Sequence, residues 1–205
     1  MRNIKIWDLP VRVFHWSLVV SFFIAYTTEE ESLWHIYSGY TVLALIAFRV
    51  LWGIAGNKYA RFSNFVYSPT NTLNYLKEVV SGKPKHYLGH NPAGGLMTIV
   101  LLLSLSIVTI SGLKAYAIEE GKGPLAGNGI SIISNAYADD DDYYGRYGNR
   151  HEKDGDEFWE EVHEASANFT LFLIFLHIFG VAISSKMHNE NLVKSMIDGN
   201  KNSKN

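Results

Sequence analysis

Apolar residues along this chain gather into four blocks, Val13 to Thr28, Ile36 to Ala55, Pro92 to Leu113 and Ala165 to Ser185, separated by charged connectors. None carries the polar stripe of a helix lying on a soluble core, and each approaches the roughly 17 to 25 residues that span a hydrocarbon layer about 30 Å thick. The first block is the shortest and extends back to Pro10, a residue suited to a first helical turn, with Arg12 snorkelling to the headgroups. Trp7, Trp16, Tyr26, Trp34, Tyr37 and Trp52 lie at the block edges, as an interfacial aromatic belt does.

The pattern predicts an all-α membrane protein, a four-transmembrane-helix bundle with spans of about 10–28, 35–55, 92–113 and 163–185. The mean hydropathy near zero hides this division. With 205 residues the chain forms a single membrane domain and has too little other mass to bury four such helices in a soluble core. Arg2, Lys5 and Arg12 precede the first block as they would the core of a signal peptide. No small-residue cleavage site stands before Glu29, so a retained helix is expected. The run Asn135 to Asp139 resembles a cleavage site but lies mid-chain and carries no weight.

Charge sets the orientation. Basic residues gather at the N-terminus, in the second connector (Lys58, Arg61, Lys77, Lys83, Lys85) and in the tail (Lys186, Lys194, Lys201, Lys204), which places both termini in the cytoplasm. The first connector, with Glu29, Glu30 and Glu31, and the third, about 114–162, fall outside. The third contains Asp139 to Asp142 in a row, then Asp154, Asp156, Glu157, Glu160 and Glu161. Such a run is a solvated, mobile loop by default, and an acidic docking surface for a basic partner on the functional reading. In the second connector, Ser68-Pro69 starts a helix whose Leu73, Leu76, Val79 and Val80 predict an amphipathic segment on the inner membrane surface.

The chain has no cysteine, so disulfides, thiolate metal sites, iron-sulfur clusters and covalent C-x-x-C-H haem attachment are excluded. Ionisable residues inside a membrane are costly and point to function, and here they are histidines: His15, His35, His163 and His177. His163 and His177 stand fourteen residues apart. That is nearly four helical turns, so both project from one face, about 21 Å apart along the axis.

His35 matches His163 in depth, and His15 matches His177 more loosely. Two cross-helix pairs of imidazoles, without cysteines or carboxylates nearby, suit two non-covalent haem b groups with bis-histidine iron. Gly39, Gly180, Ala165 and Ala167 leave room beside these histidines. With both axial positions filled, electron transfer is the natural chemistry. Arg49 lies fourteen residues beyond His35, near the inner pair, and either neutralises a haem propionate or snorkels to the cytoplasmic surface. Asn91 and Pro92 form a helix start, beside which His90 is available to hydrogen-bond a quinone headgroup.

The opening Trp7-Asp8-Leu9-Pro10-Val11-Arg12-Val13-Phe14-His15-Trp16 resembles the start of the bacterial cytochrome b561 family, which includes the b-type cytochrome subunits of nickel-iron hydrogenases. Similar segments are His35 through Gly39-Tyr40, Phe48-Arg49-Val50-Leu51-Trp52-Gly53, Ala60-Arg61-Phe62, Gly89-His90-Asn91-Pro92 and His188-Asn189-Glu190-Asn191-Leu192-Val193. The resemblance implies two b haems in a four-helix bundle of the inner membrane, with His15, His35, His163 and His177 at the ligand positions. It also implies exchange with the quinone pool and with a partner outside the membrane. The connector from Ser134 to Asp156 departs from the family pattern and leaves that partner open.

The expected function is electron transfer between the quinone pool and a periplasmic redox partner such as a c-type cytochrome. Alternatives are a hydrogenase cytochrome b subunit, a superoxide-oxidising quinone reductase, and a transporter whose histidines bind metal or relay protons. Lipid is a partner of every reading, nucleic acid of none, and a second copy of the chain is a further candidate as a homodimer.

Overall fold

The computed structural model describes residues 2–126 and 148–203. The acid row Asp139 to Asp142 and the run Asn135 to Asp139 lie outside the described residues. The helices are α1 (Leu9–Thr27), α2 (Leu33–Ala55), α3 (Pro69–Val80), α4 (Pro92–Glu119), α5 (Gly148–His188) and α6 (Leu192–Asp198), with a 3-10 turn at Phe62–Asn64. Among the described residues, two short strands, β1 (Arg2–Lys5) and β2 (Asn200–Ser203), complete the elements. Among the described residues, four helical segments are long and apolar enough to cross a membrane: α1, α2, α4 and the Glu157–His188 part of α5. On α5, Phe172, Phe175 and Phe179 are each at least 60 % exposed, as side chains facing lipid would be.

The helix boundaries follow from local chemistry. Asp8 caps α1 by accepting from Val11 N at 3.1 Å, and Pro10 occupies the first turn. Thr27 and Thr28 turn their hydroxyls back onto the carbonyls of Phe23 and Ile24, each at 2.7 Å, where the last-turn carbonyls run out of backbone partners. Ser32, Ser68 and Asn191 cap α2, α3 and α6. Asn91 Oδ1 accepts from Gly94 N at 2.7 Å at the start of α4, and Pro92 is fully buried.

The structure differs from the sequence reading in three places. α4 runs on to Glu119 and α5 begins at Gly148, so part of the stretch read as connector is helical. A polar helical extension has no apolar period to announce it. Second, β1 pairs antiparallel with β2, Arg2 opposite Ser203 and Lys5 opposite Asn200. The two ends of the chain therefore lie side by side. Third, Arg12 has a partner within the protein: its guanidinium donates to the Ile197 carbonyl, while Trp16 Nε1 donates to Met196 O at 3.2 Å.

Contacts divide the chain into two bodies. In the first, Met1–Leu103 with Thr170–Asn205, α1 packs on α2 through Phe14 and Phe48, and Ile6, Trp7, Val11 and Ala60 form a buried cluster beside the termini. Gly199 closes α6 in the left-handed region at φ 86°, and its carbonyl accepts from Ile6 N and Trp7 N at 2.9 and 3.1 Å. A Cβ there would strike the Trp7 carbonyl at 2.6 Å. On α3, Thr72 and Tyr75 are buried while Leu73, Leu76 and Val80 are exposed, the face a bilayer surface would cover. The second body, Ser104–Phe169, consists of the end of α4 and the start of α5.

Candidate functional site

His35, half-buried, stands three residues before the buried stripe of α2, which runs through Ser38, Val42, Ile46, Arg49 and Gly53 at helical spacing. Its Nδ1 lies 2.9 Å from the carbonyl of Ala25 in the last turn of α1. A carbonyl only accepts, so Nδ1 carries the proton and Nε2 carries the lone pair. This is the tautomer a metal-binding imidazole adopts when its second nitrogen is anchored to the backbone.

His163 repeats the arrangement within the other body. Its Nδ1 donates to the Val108 carbonyl at 2.9 Å, with Ser111 Oγ 3.4 Å away. Gly112 makes the approach possible: a Cβ there would come within 2.7 Å of His163 Cε1 and 2.9 Å of Nδ1. The sequence pattern does not single out Gly112, Ser111 or the carbonyls of Val108 and Ala25. The Ser-Gly pair inside an apolar block was the available signal for the first two.

His15 and His177 lie in the first body, close enough for their charges to act on one another. His15 Nδ1 has no hydrogen-bond partner among the described residues. Gly39, one turn after His35, and Gly180, almost one turn after His177, would place a Cβ in open space, with nothing within 4 Å. The room read beside these two histidines is therefore not filled by other side chains.

Arg49 is buried, 2 % exposed, with its guanidinium 4.8 Å from the centroid of Phe62. Phe62 reaches this position across Gly53, where a Cβ would meet its ring at 2.0 Å. Asp8, besides capping α1, accepts from Trp52 Nε1 at 3.0 Å and Asn57 Nδ2 at 2.9 Å, which ties the first and second spans together at one end. His90 lies edge-on to Trp7 with centroids 4.7 Å apart, and 4.4 Å from Phe65.

Near the chain ends, Glu190 joins three segments. It pairs with Lys201 on β2 at 3.0 Å and with His86 at 2.7 Å, and His86 in turn packs on His188. Burial alone would raise the Glu190 carboxyl, but Lys201 and His86 outweigh it and hold it below its ordinary value of 4.5.

Residues 6–199 match the family model of prokaryotic cytochrome b561. The chain belongs to this family. Relatives that carry the name "Probable Ni/Fe-hydrogenase B-type cytochrome subunit" include two that align along nearly the whole chain. The one from Rhodobacter capsulatus is 24 % identical, with 97 % of this chain and 81 % of the relative aligned. The one from Azotobacter chroococcum mcd 1 is 21 % identical, with 96 % and 87 % aligned. No solved structure matches the chain.

As a cytochrome b561 the protein is a multi-pass membrane protein of electron transport, and its cofactor is haem b. Family membership replaces the metal or proton transporter reading of the intramembrane histidines. Haem b supplies one-electron chemistry at its iron. The residues on hand fit it: imidazoles with anchored Nδ1 atoms, and glycines that leave space beside them.

Proposed function

We propose that this cytochrome b561 carries electrons across the membrane through two b haems, between the quinone pool and a redox partner on the opposite side. His15 and His177 are the ligands of the haem nearer the chain ends, and His35 and His163 those of the other. The observation that carries this reading is the shared anchoring of His35 and His163. Each donates its Nδ1 proton to a helix carbonyl at 2.9 Å, which makes Nε2 the coordinating nitrogen. The electrostatic proximity of His15 and His177 supports the other pair. The pairing of His35 with His163 draws on the sequence, where both stand near the same end of their spans, at matching depth.

The basic N-terminus, second connector and tail favour a cytoplasmic location for both ends, in the inner membrane of a bacterium. The acidic third connector then faces the periplasm, where a basic c-type cytochrome is a suitable partner. A second reading, the cytochrome b subunit of a hydrogenase, is favoured by the names of the relatives. In it, electrons released from hydrogen enter the outer haem and reduce quinone.

The test is a dithionite-reduced minus oxidised spectrum of the purified protein. A low-spin b-type band is expected, and its absence would sink the haem reading. Reduction by a basic c-type cytochrome, against reduction by hydrogen in membranes containing the hydrogenase, separates the two partner assignments.

A further inference from the structure

The guanidinium of Arg49 is buried, and its Nη1 has no partner among the described residues. A buried charge without a counter-ion is strongly disfavoured. Asp8 is the acidic side chain whose charge reaches Arg49, but its oxygens are committed elsewhere. Oδ1 accepts from Val11 N, and Oδ2 accepts from Trp52 and Asn57. Asp8 thus moderates the charge of Arg49 without meeting its hydrogen-bonding need.

A second orphan lies beside the first. His90 Nδ1 is shielded from solvent and has no partner among the described residues. The His90 ring lies 4.4 Å from the centroid of Phe65, and the Arg49 guanidinium lies 5.7 Å from the same centroid. One aromatic ring therefore serves as a wall to both groups. His90 is also within electrostatic reach of His177 and of Lys201. Lys201 is already paired with Glu190, so the uncompensated charge is that of Arg49.

Two unsatisfied nitrogens and an excess of positive charge border one aromatic ring, and the imidazole of His177 is within electrostatic reach of His90. An anionic acceptor attached to whatever His177 binds would satisfy all three. We propose that Arg49 and His90 together hold a propionate of the haem whose iron is bound by His177. This rests on the haem reading above. A quinone headgroup, being neutral, would accept the hydrogen bonds but leave the guanidinium uncompensated. The two residues have unequal roles. Burial, with the nearby charge of Arg49, lowers the His90 pKa to about 3, so its ring is neutral at pH 7 and supplies one hydrogen bond. Arg49 supplies the charge and the planar fork that suits a carboxylate.

A positive charge beside the propionate favours the reduced haem, because the ferric iron carries one more positive charge than the ferrous. Removing it lowers the midpoint potential. The experiment is a redox titration of purified, haem-loaded, full-length protein, followed at the b-type band, with resonance Raman of the propionate deformation. Arg49→Gln is expected to lower one of the two midpoints by about 59 mV, a tenfold change in a one-electron equilibrium. Arg49→Lys should restore most of that shift. His90→Phe keeps a ring against Trp7 and Phe65, and should move the propionate band of the same haem with little change in potential.

Fully loaded variants whose potentials and propionate bands match the wild type would overturn the clamp. Slowed quinol oxidation with both haems unshifted would overturn it in favour of a quinone headgroup at this spot. Should Arg49→Gln fail to retain haem, His90→Phe decides: an unmoved propionate band refutes the proposal. A wild-type protein with no b-type spectrum would instead refute the haem reading on which the clamp is built.

Discussion

His163 donates its Nδ1 proton to the carbonyl of Val108 at 2.9 Å, over a glycine that gives the ring room. Helix carbonyls are normally occupied by the helix itself and shielded by its side chains, so a ring from another helix reaches one only where that surface is bare. Gly112 provides that surface.

Gly112→Ala should displace the His163 ring, since the new methyl would lie 2.7 Å from Cε1. Groups that orient a metal ligand are worth about 10- to 100-fold in affinity. The variant is expected to lose one haem preferentially during purification, read as a falling ratio of b-type absorbance to protein, while the other haem stays.

Asp8 holds the N-terminus of α1 and binds both Trp52 and Asn57. Asp8→Ala removes a cap worth about 0.5 to 2 kcal/mol, along with two hydrogen bonds of about 1 kcal/mol each. A lower melting temperature in detergent is expected. Asp8→Asn, which keeps an acceptor for Val11, should recover part of the loss.

How much of this was legible beforehand depends on how far a signal extends along the chain. The four spans were visible because each needs an apolar run of some twenty residues, and the histidines because imidazoles are rare within such runs. Gly112 is 51 residues from His163 and sits in an apolar block where a glycine attracts no notice. The β1–β2 pair joins residues 2–5 to residues 200–203, strands of four residues each, too short for a periodicity to register. The N-terminal part of α5 was hidden because its polar residues repeat no apolar face. Arg49 was read on its helix face, but its burial under Phe62 depends on the chain folding back after α2.

Glu190 makes the attachment of β2 dependent on pH. Its folded-state value is depressed, so its stabilising contribution is complete above the ordinary 4.5 and is lost as pH falls through the lower folded value. Hydrogen exchange in Asn200–Ser203 should accelerate relative to the spans over that acidic range. Glu190→Gln should exchange faster at neutral pH and lose the acid-dependent rise.

The acid row Asp139 to Asp142 offers a test of docking that needs only its charge. Changing all four to Asn should slow electron exchange with a basic c-type cytochrome by about tenfold at low ionic strength. The difference should close at high salt, where the screening length shrinks to a few ångströms. Equal rates at low salt would remove this segment from the docking surface.

The most direct test of the two-haem wiring is the number of haems per polypeptide, measured by pyridine haemochromogen in the wild type and in His163→Ala. Two haems, falling to one with the remaining low-spin spectrum intact, are predicted. A wild-type ratio of one, or a variant that retains both haems, would contradict the account.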